Sequence, residues 1–585
     1  MLLDKISVSQ LRNMLSPLME APVWPGLADP ESKATARQYA HDSGLWEQLT
    51  KDIDPEQPIA VLRYRDYQDY FRTGRRELYE GLFQRRLDRT NRAALALWLG
   101  HPVAQLDELQ DLLWSWCEGS WSFPAMEPGY IDLVSSMVGR TLAEIGWLFR
   151  DRLEKKIQER MNQEIETRIL NRALDWRTTD WWTTDGNNWN SVCNSNLIQT
   201  ALYQIHDPWQ LAAFVHPVCR RMDYALGYFT ADGGCPEGAG YWEYGFGHFL
   251  DAALAMSVRT GGKVALAGDP HVERICRFPL AIQLRGPLRA AFSDSDNGYL
   301  QAQTVLKINW LFRIPELFSL VESTPKGLLK LPDIRTLALY RGQRPQPEGK
   351  NTDVLLPQLG YAKVHAGAKS VLAAVAGRND VSHNHNDIGS FLFMVGDRVW
   401  LTDPGAPVYT SKTFGPDRYE ILVCRSRGHS VPLINGQEQA AGSEYGGTIE
   451  VQGLDRVGDK IIVIEMAGGY PDPTLTRLRR ELKLDQAGWL HLTDHYQFSE
   501  PPHSVEEAFI TFENVTILDP CRCVQIGDSG QSLVLSTMVA GQFAVEAFAK
   551  QQHEGRDSRP LQRITFTPAV LQPKMVLSFM VSAPS

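Results

Sequence analysis

The sequence is short of several features that would narrow its function at once. It has no apolar run long enough to cross a bilayer, so no membrane-spanning role is expected. Its opening stretch, MLLDKISVSQLRNMLSPLME, reads as an amphipathic helix and lacks a secretory h-region. A cytoplasmic location is the default expectation; a periplasmic or secreted one would follow if a signal peptide had been removed. Eight cysteines are scattered, and only Cys521 and Cys523 lie close together. That pattern offers neither a zinc-knuckle spacing nor a disulfide framework. A basic surplus is missing too: 59 Lys and Arg stand against 69 Asp and Glu, a net charge of −10. This argues against a general nucleic-acid binder, which needs a basic face. It leaves room for an anionic substrate, since a local basic groove can sit on an acidic protein. There is no low-complexity tail and no strong internal repeat.

The chain does have length and aromatic rings. At 585 residues it exceeds what one hydrophobic core supports, so two domains or more are expected. Hydrophobic residues make up 43% and charged residues 22%, an ordinary globular balance. The 16 Trp, 19 Tyr and 22 Phe are mostly core fillers, but indole faces also suit sugar rings.

The hydrophobic period changes once along the chain. Over residues 131–170, Val134, Val138, Leu142, Ile145, Phe149, Leu153, Ile157, Met161, Ile165 and Ile169 recur every three or four positions. This is one apolar stripe on a long helix or a helix pair. Residues 91–101, 208–229 and 245–262 read as further helices, the last stopped by glycines. Many helices with short Gly/Pro-marked links predict helical hairpins arrayed around a common core. The stretch YRGQRPQPEGKNTDVLLPQLG, 340–360, is rich in Pro, Gly and charge and predicts a boundary, placed between 345 and 346. Beyond it, KIIVIEMAGG, GWLHLTDHYQF, QSLVLSTMV and KMVLSFMVS alternate with period two between turns. This is an antiparallel β-sandwich pattern. The expected organisation is a helical domain over 1–345 and a β-sandwich over 346–585.

Within the second half, VSHNHNDIGSFLFMVGDRVWLTDPG places His383 and His385 one residue apart and ends in Asp403; His429 follows in CRSRGHSVPLINGQEQ. Taken as a strand end, SHNHND would put both histidines on one face. Two imidazoles and a carboxylate from neighbouring strands suit zinc or a similar divalent ion. The alternative is turn and surface residues with ordinary hydrogen bonds. In a strand, Arg425, Arg427 and His429 would also share a face. Guanidinium forks suit sulfate and carboxylate groups, and salt bridges that hold the domain together are the competing role.

The stretch HNHNDIGSFLFMVGDRVWLTDPGAPVY, followed by GHSVPLINGQEQ, resembles the C-terminal domain of the heparinase II/III-like polysaccharide lyases. The helical half adds DGNNWNSVCNSNLIQTALY, 185–203, similar to that family's Asn-bearing helix. It also adds DGGCPEGAGYWEYGFGHF, 232–249, similar to its tyrosine-bearing segment. The resemblance covers roughly residues 130–440. It implies an N-terminal (α/α) toroid, a C-terminal antiparallel β-sandwich and a cleft between them. It implies β-elimination at C4 of a uronic acid, with Asn188, Tyr241 and His383 catalytic. It further implies that His385, Asp403 and His429 bind a metal ion, usually zinc; Mn2+ and Ca2+ stay open. Many relatives have a histidine after the asparagine; here Trp189 stands there, which shifts the weight of base catalysis to Tyr241 and His383.

The chemistry fits those residue types. The C5 proton is very weakly acidic, so an amide donor such as Asn188 is needed to stabilise the developing enediolate. A base then removes the proton and an acid protonates the departing oxygen; a tyrosine can serve as both. Tyr241 follows EGAG as the family pattern does, and Tyr244, one helical turn on, is the alternative, or a packed aromatic beside Trp242. Trp189 either stacks on a sugar or fills core. The expected substrate-binding set is Trp189, Tyr244, Arg425 and Arg427. The expected partner is an anionic uronic-acid polysaccharide or oligosaccharide, with glycosaminoglycans ahead of alginate, and a homo-oligomer is left open. A uronyl C5-epimerase and a non-catalytic carbohydrate-binding protein remain as alternatives.

Overall fold

The computed structural model describes residues 3–584, apart from 55, 76, 124–125, 127–128, 176–179, 296–297, 323–328, 330–331, 345, 348–351, 368 and 529. The chain divides into two compact units. One comprises Met1–Tyr228, Trp242–Glu273 and Leu300–Pro347. The other comprises Phe229–Tyr241, Arg274–Tyr299 and Glu348–Ser585. The boundary expected between 345 and 346 adjoins residue 345, outside the described residues. Two loops from the first half of the chain therefore pack within the second unit. One of them ends on Tyr241.

The first unit is helical. The apolar stripe over 131–170 resolves as a helix pair, Leu133–Leu148 and Lys155–Ile165, with a break at 149–154. Asp132 starts the first helix by accepting from the N–H groups of Val134 and Ser135. Helix-to-helix contacts run from Leu133–Leu148 to Asn188–Gln204, then to Gly247–Arg259, Ala302–Phe312 and Ile334–Leu339. They continue to Glu77–Leu99, Leu106–Glu118 and Lys155–Ile165, which packs back on Leu133–Leu148. The array closes into a ring, as the helical-hairpin reading requires. Asn188–Gln204 has no solvent-exposed face, because almost every residue from Asn188 to Tyr203 is buried. Its amides therefore need partners: Asn190 Nδ2 donates to the Trp182 carbonyl (3.0 Å) and Asn196 Nδ2 to Ser136 Oγ (3.2 Å).

The second unit is built mainly from three antiparallel sheets, beside two small two-stranded ones, Gln283–Arg285 with Leu288–Arg289 and Gly442–Gly446 with Arg378–Asn379. The largest has eight strands, in the order Thr448–Gln452, Lys460–Glu465, Leu475–Leu484, Leu490–Phe498, Lys574–Ser582, Gln531–Ser536, Cys523–Asp528, Val515–Asp519. A five-stranded sheet runs Val354–Leu356, Tyr361–Ala366, Ser370–Val375, Phe391–Val395, Arg398–Leu401. A four-stranded one runs Gly541–Phe548, Leu561–Pro568, Val505–Thr511, Leu433–Ile434. Alternation does the packing. Leu478, Leu482, Leu490 and Leu492 of the large sheet share one core with Leu372 and Phe393 of the second and Phe509 and Phe566 of the third. This is the sandwich expected from the period-two pattern.

Candidate active site and metal centre

The segment carrying the two histidines is not a strand end. Residues 381–387 form turns, and His383 has a left-handed backbone, φ +61°. Such a conformation is uncommon for a residue with a Cβ and tends to persist where surrounding contacts impose it. Between the histidines and Asp403 the chain forms a hairpin, Phe391–Val395 and Arg398–Leu401, with Asp403 two residues beyond its end. His383 and His385 do converge, not by strand alternation, but because both bind one carboxylate.

That carboxylate is Asp294, whose side chain is fully buried. Its Oδ2 lies 2.8 Å from His383 Nδ1 and accepts from the Tyr409 hydroxyl at 3.1 Å. Its Oδ1 lies 3.0 Å from His385 Nε2 and accepts from Arg418 Nη2 at 2.7 Å. Burial alone would push this carboxyl up, but the two imidazoles and the guanidinium outweigh it and hold it far below the usual carboxylate range. The loop is pinned from behind: Ala406 N–H donates to the Ser295 carbonyl at 3.0 Å. Gly405, at φ +68°, makes that approach possible, since a Cβ there would sit 2.7 Å from the same oxygen.

Tyr241 joins the cluster. Its hydroxyl is 2.8 Å from that of Tyr409, and its ring stacks on His383 at 3.9 Å between centroids. Burial pushes the Tyr241 phenol up to about 12, so it is protonated at neutral pH. Expected in the helical half, Tyr241 instead belongs to the same compact unit as His383.

Hydrogen-bond bookkeeping marks out a group of residues that could hold a metal ion. An ionised carboxylate only accepts, so His385 Nε2 carries a proton toward Asp294 and Nδ1 keeps its lone pair. That Nδ1 is buried and has no hydrogen-bond partner. His429 Nε2 lies 3.0 Å from the Val423 carbonyl, another pure acceptor, so its proton is there. Its Nδ1 then faces Asp403 Oδ2 at 3.0 Å. Two lone pairs at that distance need a cation between them, a proton or a metal ion. With a proton there, burial opposes the charge but Asp403 overrides it, raising His429 to about 9. Ligand atoms of His385, Asp403 and His429 all lie within 4.8 Å of one another. Two ligands of a tetrahedral zinc at about 2.0–2.1 Å stand roughly 3.3 Å apart, so these residues fit a divalent ion. Asp294, His385 and Cys424 are also mutually close. There, however, the Arg418 guanidinium already sits on Asp294 and repels a second cation.

The remaining expected residues lie elsewhere. Asn188 opens the helix Asn188–Gln204 in the helical unit. It is held against the π-helical turn Trp242–Phe246, where a Cβ on Gly245 would lie 3.0 Å from its own. Trp189 is half-buried between exposed Trp181 (centroids 5.2 Å) and Phe123 (5.9 Å). Tyr244 packs edge-on against His248, whose Nδ1 is 2.8 Å from the Tyr244 carbonyl. Arg425 and Arg427 are not on a strand; Leu422–Cys424 and Ser426–Gly428 are 3-10 turns. Their guanidinium groups bind carboxylates, Arg425 Nε on Glu438 at 2.9 Å and Arg427 Nη2 on Glu546 at 2.8 Å.

Sequence reasoning missed Asp294, Tyr409 and Arg418. Tyr409 lay in plain view, six residues past Asp403 in TDPGAPVY. Asp294 carries no local signal: it sits in FSDSDNG, 89 residues before His383.

Residues 348–542 match the family described as heparinase II/III-like, C-terminal. No curated protein is detectably similar in sequence. Solved structures share the fold along nearly the whole chain. Heparinase III aligns with TM-score 0.60 at 14% identity, covering 96% of this chain and 93% of that one. A mutant of the heparan sulfate lyase HepC from Pedobacter heparinus aligns with TM-score 0.59 at 12% identity, covering 98% and 87%. The Streptomyces coelicolor A3 chondroitin AC lyase, in complex with chondroitin sulphate, aligns with TM-score 0.52 at 12% identity, covering 98% and 82%. Residues 348–542 thus match the heparinase II/III-like C-terminal family, and the chain as a whole shares the fold of heparinase III.

Proposed function

We propose that this protein is a polysaccharide lyase that cleaves uronic-acid polymers by β-elimination. The observation that carries this reading is the Asp294 cluster. It gathers an imidazole and a phenol ring to ring, beside three residues that could hold a metal ion, from five separate stretches of chain. Binding alone does not require such a set.

His383 donates Nδ1–H to Asp294 and so presents Nε2 with a free lone pair, as a base does. Tyr241, protonated by virtue of its burial, is a proton source. In the elimination His383 takes the C5 proton, the C5–H electrons become the C4=C5 double bond, and the C4–O bond breaks. The departing oxygen takes a proton from Tyr241. Asn188, from the helical unit, is the proposed donor to the uronate carboxyl, stabilising the enediolate as an oxyanion donor does. Trp189, beside exposed Trp181, is the proposed stacking surface for a sugar. His385, Asp403 and His429 would hold a divalent ion, zinc being the best match to two imidazoles and a carboxylate. When bound, that ion supplies a fixed charge that clamps the 385, 403 and 429 loops together.

Glycosaminoglycans of heparan, chondroitin or hyaluronan type are the proposed substrates, ahead of alginate. Names of the structural neighbours support that order. A C5-epimerase would use the same carbanion but must return the proton from the opposite face. Stacked on each other, Tyr241 and His383 favour the lyase. The test is incubation with a panel of uronic-acid polysaccharides, read by ultraviolet absorbance and product mass. Unsaturated oligosaccharides are expected. Deuterium uptake at C5 without chain cleavage would replace the lyase by the epimerase, and sugar binding without either would sink both.

A further inference from the structure

Tyr409 has so far been only a neighbour. The direction of its hydrogen bonds assigns it more. Asp294 is an ionised carboxylate in contact with Arg418 and two imidazoles, and it can only accept. The hydroxyl proton of Tyr409 therefore points at Asp294 Oδ2, 3.1 Å away. A phenol has one proton. In the 2.8 Å contact between the two tyrosines, Tyr409 has none left to give, and Tyr241 must be the donor. The chain of bonds thus has one sense, from Tyr241 to Tyr409 to Asp294.

We propose that Tyr409 is a positioning residue which, anchored by Asp294, commits Tyr241 to serve as the acid and not the base of the elimination. This rests on the lyase reading and deepens it. In the resting state Tyr409 occupies Tyr241 as a hydrogen-bond acceptor, keeping its proton in place and its ring parallel to His383. Once Tyr241 has protonated the departing oxygen, the Tyr409 hydroxyl can turn from Asp294 to the new phenolate without moving its ring, because the 2.8 Å separation suits a bond of either sense. No further proton donor is needed. Arg556 sits on the outer face of the Tyr409 ring, 5.0 Å from its centroid, and helps to hold the ring in place.

The experiment compares two substrates in the full-length protein and its Tyr409→Phe variant. One is an oligouronide whose leaving group is a sugar hydroxyl; the other carries an activated aryl ether at C4, which departs without protonation. Tyr409→Phe is expected to lower kcat on the first by about tenfold to a hundredfold, part of the range of general acid catalysis, with KM within about twofold. On the aryl ether kcat should stay close to wild type. Equal losses on both substrates would overturn the proposal and leave the lyase reading intact. If wild-type protein eliminates neither substrate, it is the lyase reading that fails. The hydrogen-bond sense is then decided separately, by nuclear magnetic resonance of protein labelled with carbon-13 at tyrosine Cζ. Tyr241, identified through Tyr241→Phe, should move toward the position of a non-donating phenol in Tyr409→Phe. No movement would refute the proposed sense.

Discussion

Each unit buries a polar network, and the two are opposites. In the helical unit, Lys307 binds Asp251 at 2.6 Å, and Arg335 spans Asp251 (3.7 Å) and Glu144 (3.5 Å). Tyr203 donates to Glu144 at 2.9 Å, and Arg335 also reaches Gln199. Cations face anions, and the residues come from five different helices of the ring. Such a network ties these helices together. In the β unit, Asp294 meets one guanidinium, but its other three partners are imidazoles and a phenol. Those groups can pass a proton or bind a metal, and one of them, His385, ends in an unbonded buried nitrogen. On the proposed function, equal burial serves stability in one place and chemistry in the other. The difference lies in what binds the central carboxylate: a lysine and an arginine on Asp251, two imidazoles and a phenol beside the guanidinium on Asp294.

The strongest way to break this comparison is to neutralise the central carboxylate of each network. Asp294→Asn should reduce kcat by about a hundredfold to ten-thousandfold, since it disorders both His383 and the chain to Tyr241. Asp251→Asn should instead cost stability, about 3–5 kcal/mol, the usual loss when one member of a buried pair is removed. Denaturant melts and steady-state kinetics on both variants decide it. An Asp294→Asn protein with full turnover and only a lowered Tm would make the two networks alike.

The two histidines sharpen the division within the β unit. His385→Ala should lose both metal content and stability, whereas His383→Ala should keep the metal and lose turnover. Metal analysis by mass spectrometry beside the kinetics reads this. Equal metal loss in both variants would mean a single clamp with no division of labour.

A pH test addresses the helical unit. Burial pulls the His248 imidazole down to about 4, from an ordinary 6.5. Between those values the unfolded chain binds the proton and the folded one does not. Stability is thus complete above about pH 6.5 and falls as the pH drops toward 4, by about 3 kcal/mol at most. His248→Gln should flatten that part of the stability-versus-pH curve; an unchanged slope would assign it to other groups. The smallest effect is expected from Arg425→Gln or Arg427→Gln. Both pairs are partly exposed, so the loss should be about 1 kcal/mol or less. Affinity for sulfated chains that falls more than for unsulfated ones would show that these arginines also read the substrate.

Much of the fold was legible because periodicity is a local property. A stripe at every third or fourth residue marked the helices from Leu133 to Ile165. Alternation marked the strands from Lys460 to Ser582. That His385, Asp403 and His429 come together was expected from the sequence, because their residue types share one chemistry, and the structure does bring their polar atoms within 4.8 Å of one another. The route by which His383 and His385 meet was misread. Strand alternation is the simplest way to align residues two apart, but a left-handed turn at His383 does it here. Arg425 and Arg427 were placed on a strand by the same habit.

By itself, the sequence determined that helices give way to strands along the chain and which side chains could hold a metal ion, because both follow from residue type and short spacing. Only the tertiary structure decided what ties the site together. Asp294 earns its role by meeting His383, His385, Tyr409 and Arg418, all at least 89 positions away in the chain. Only the folded geometry could orient the tyrosine chain, because the sense of a hydrogen bond depends on what lies at its far end.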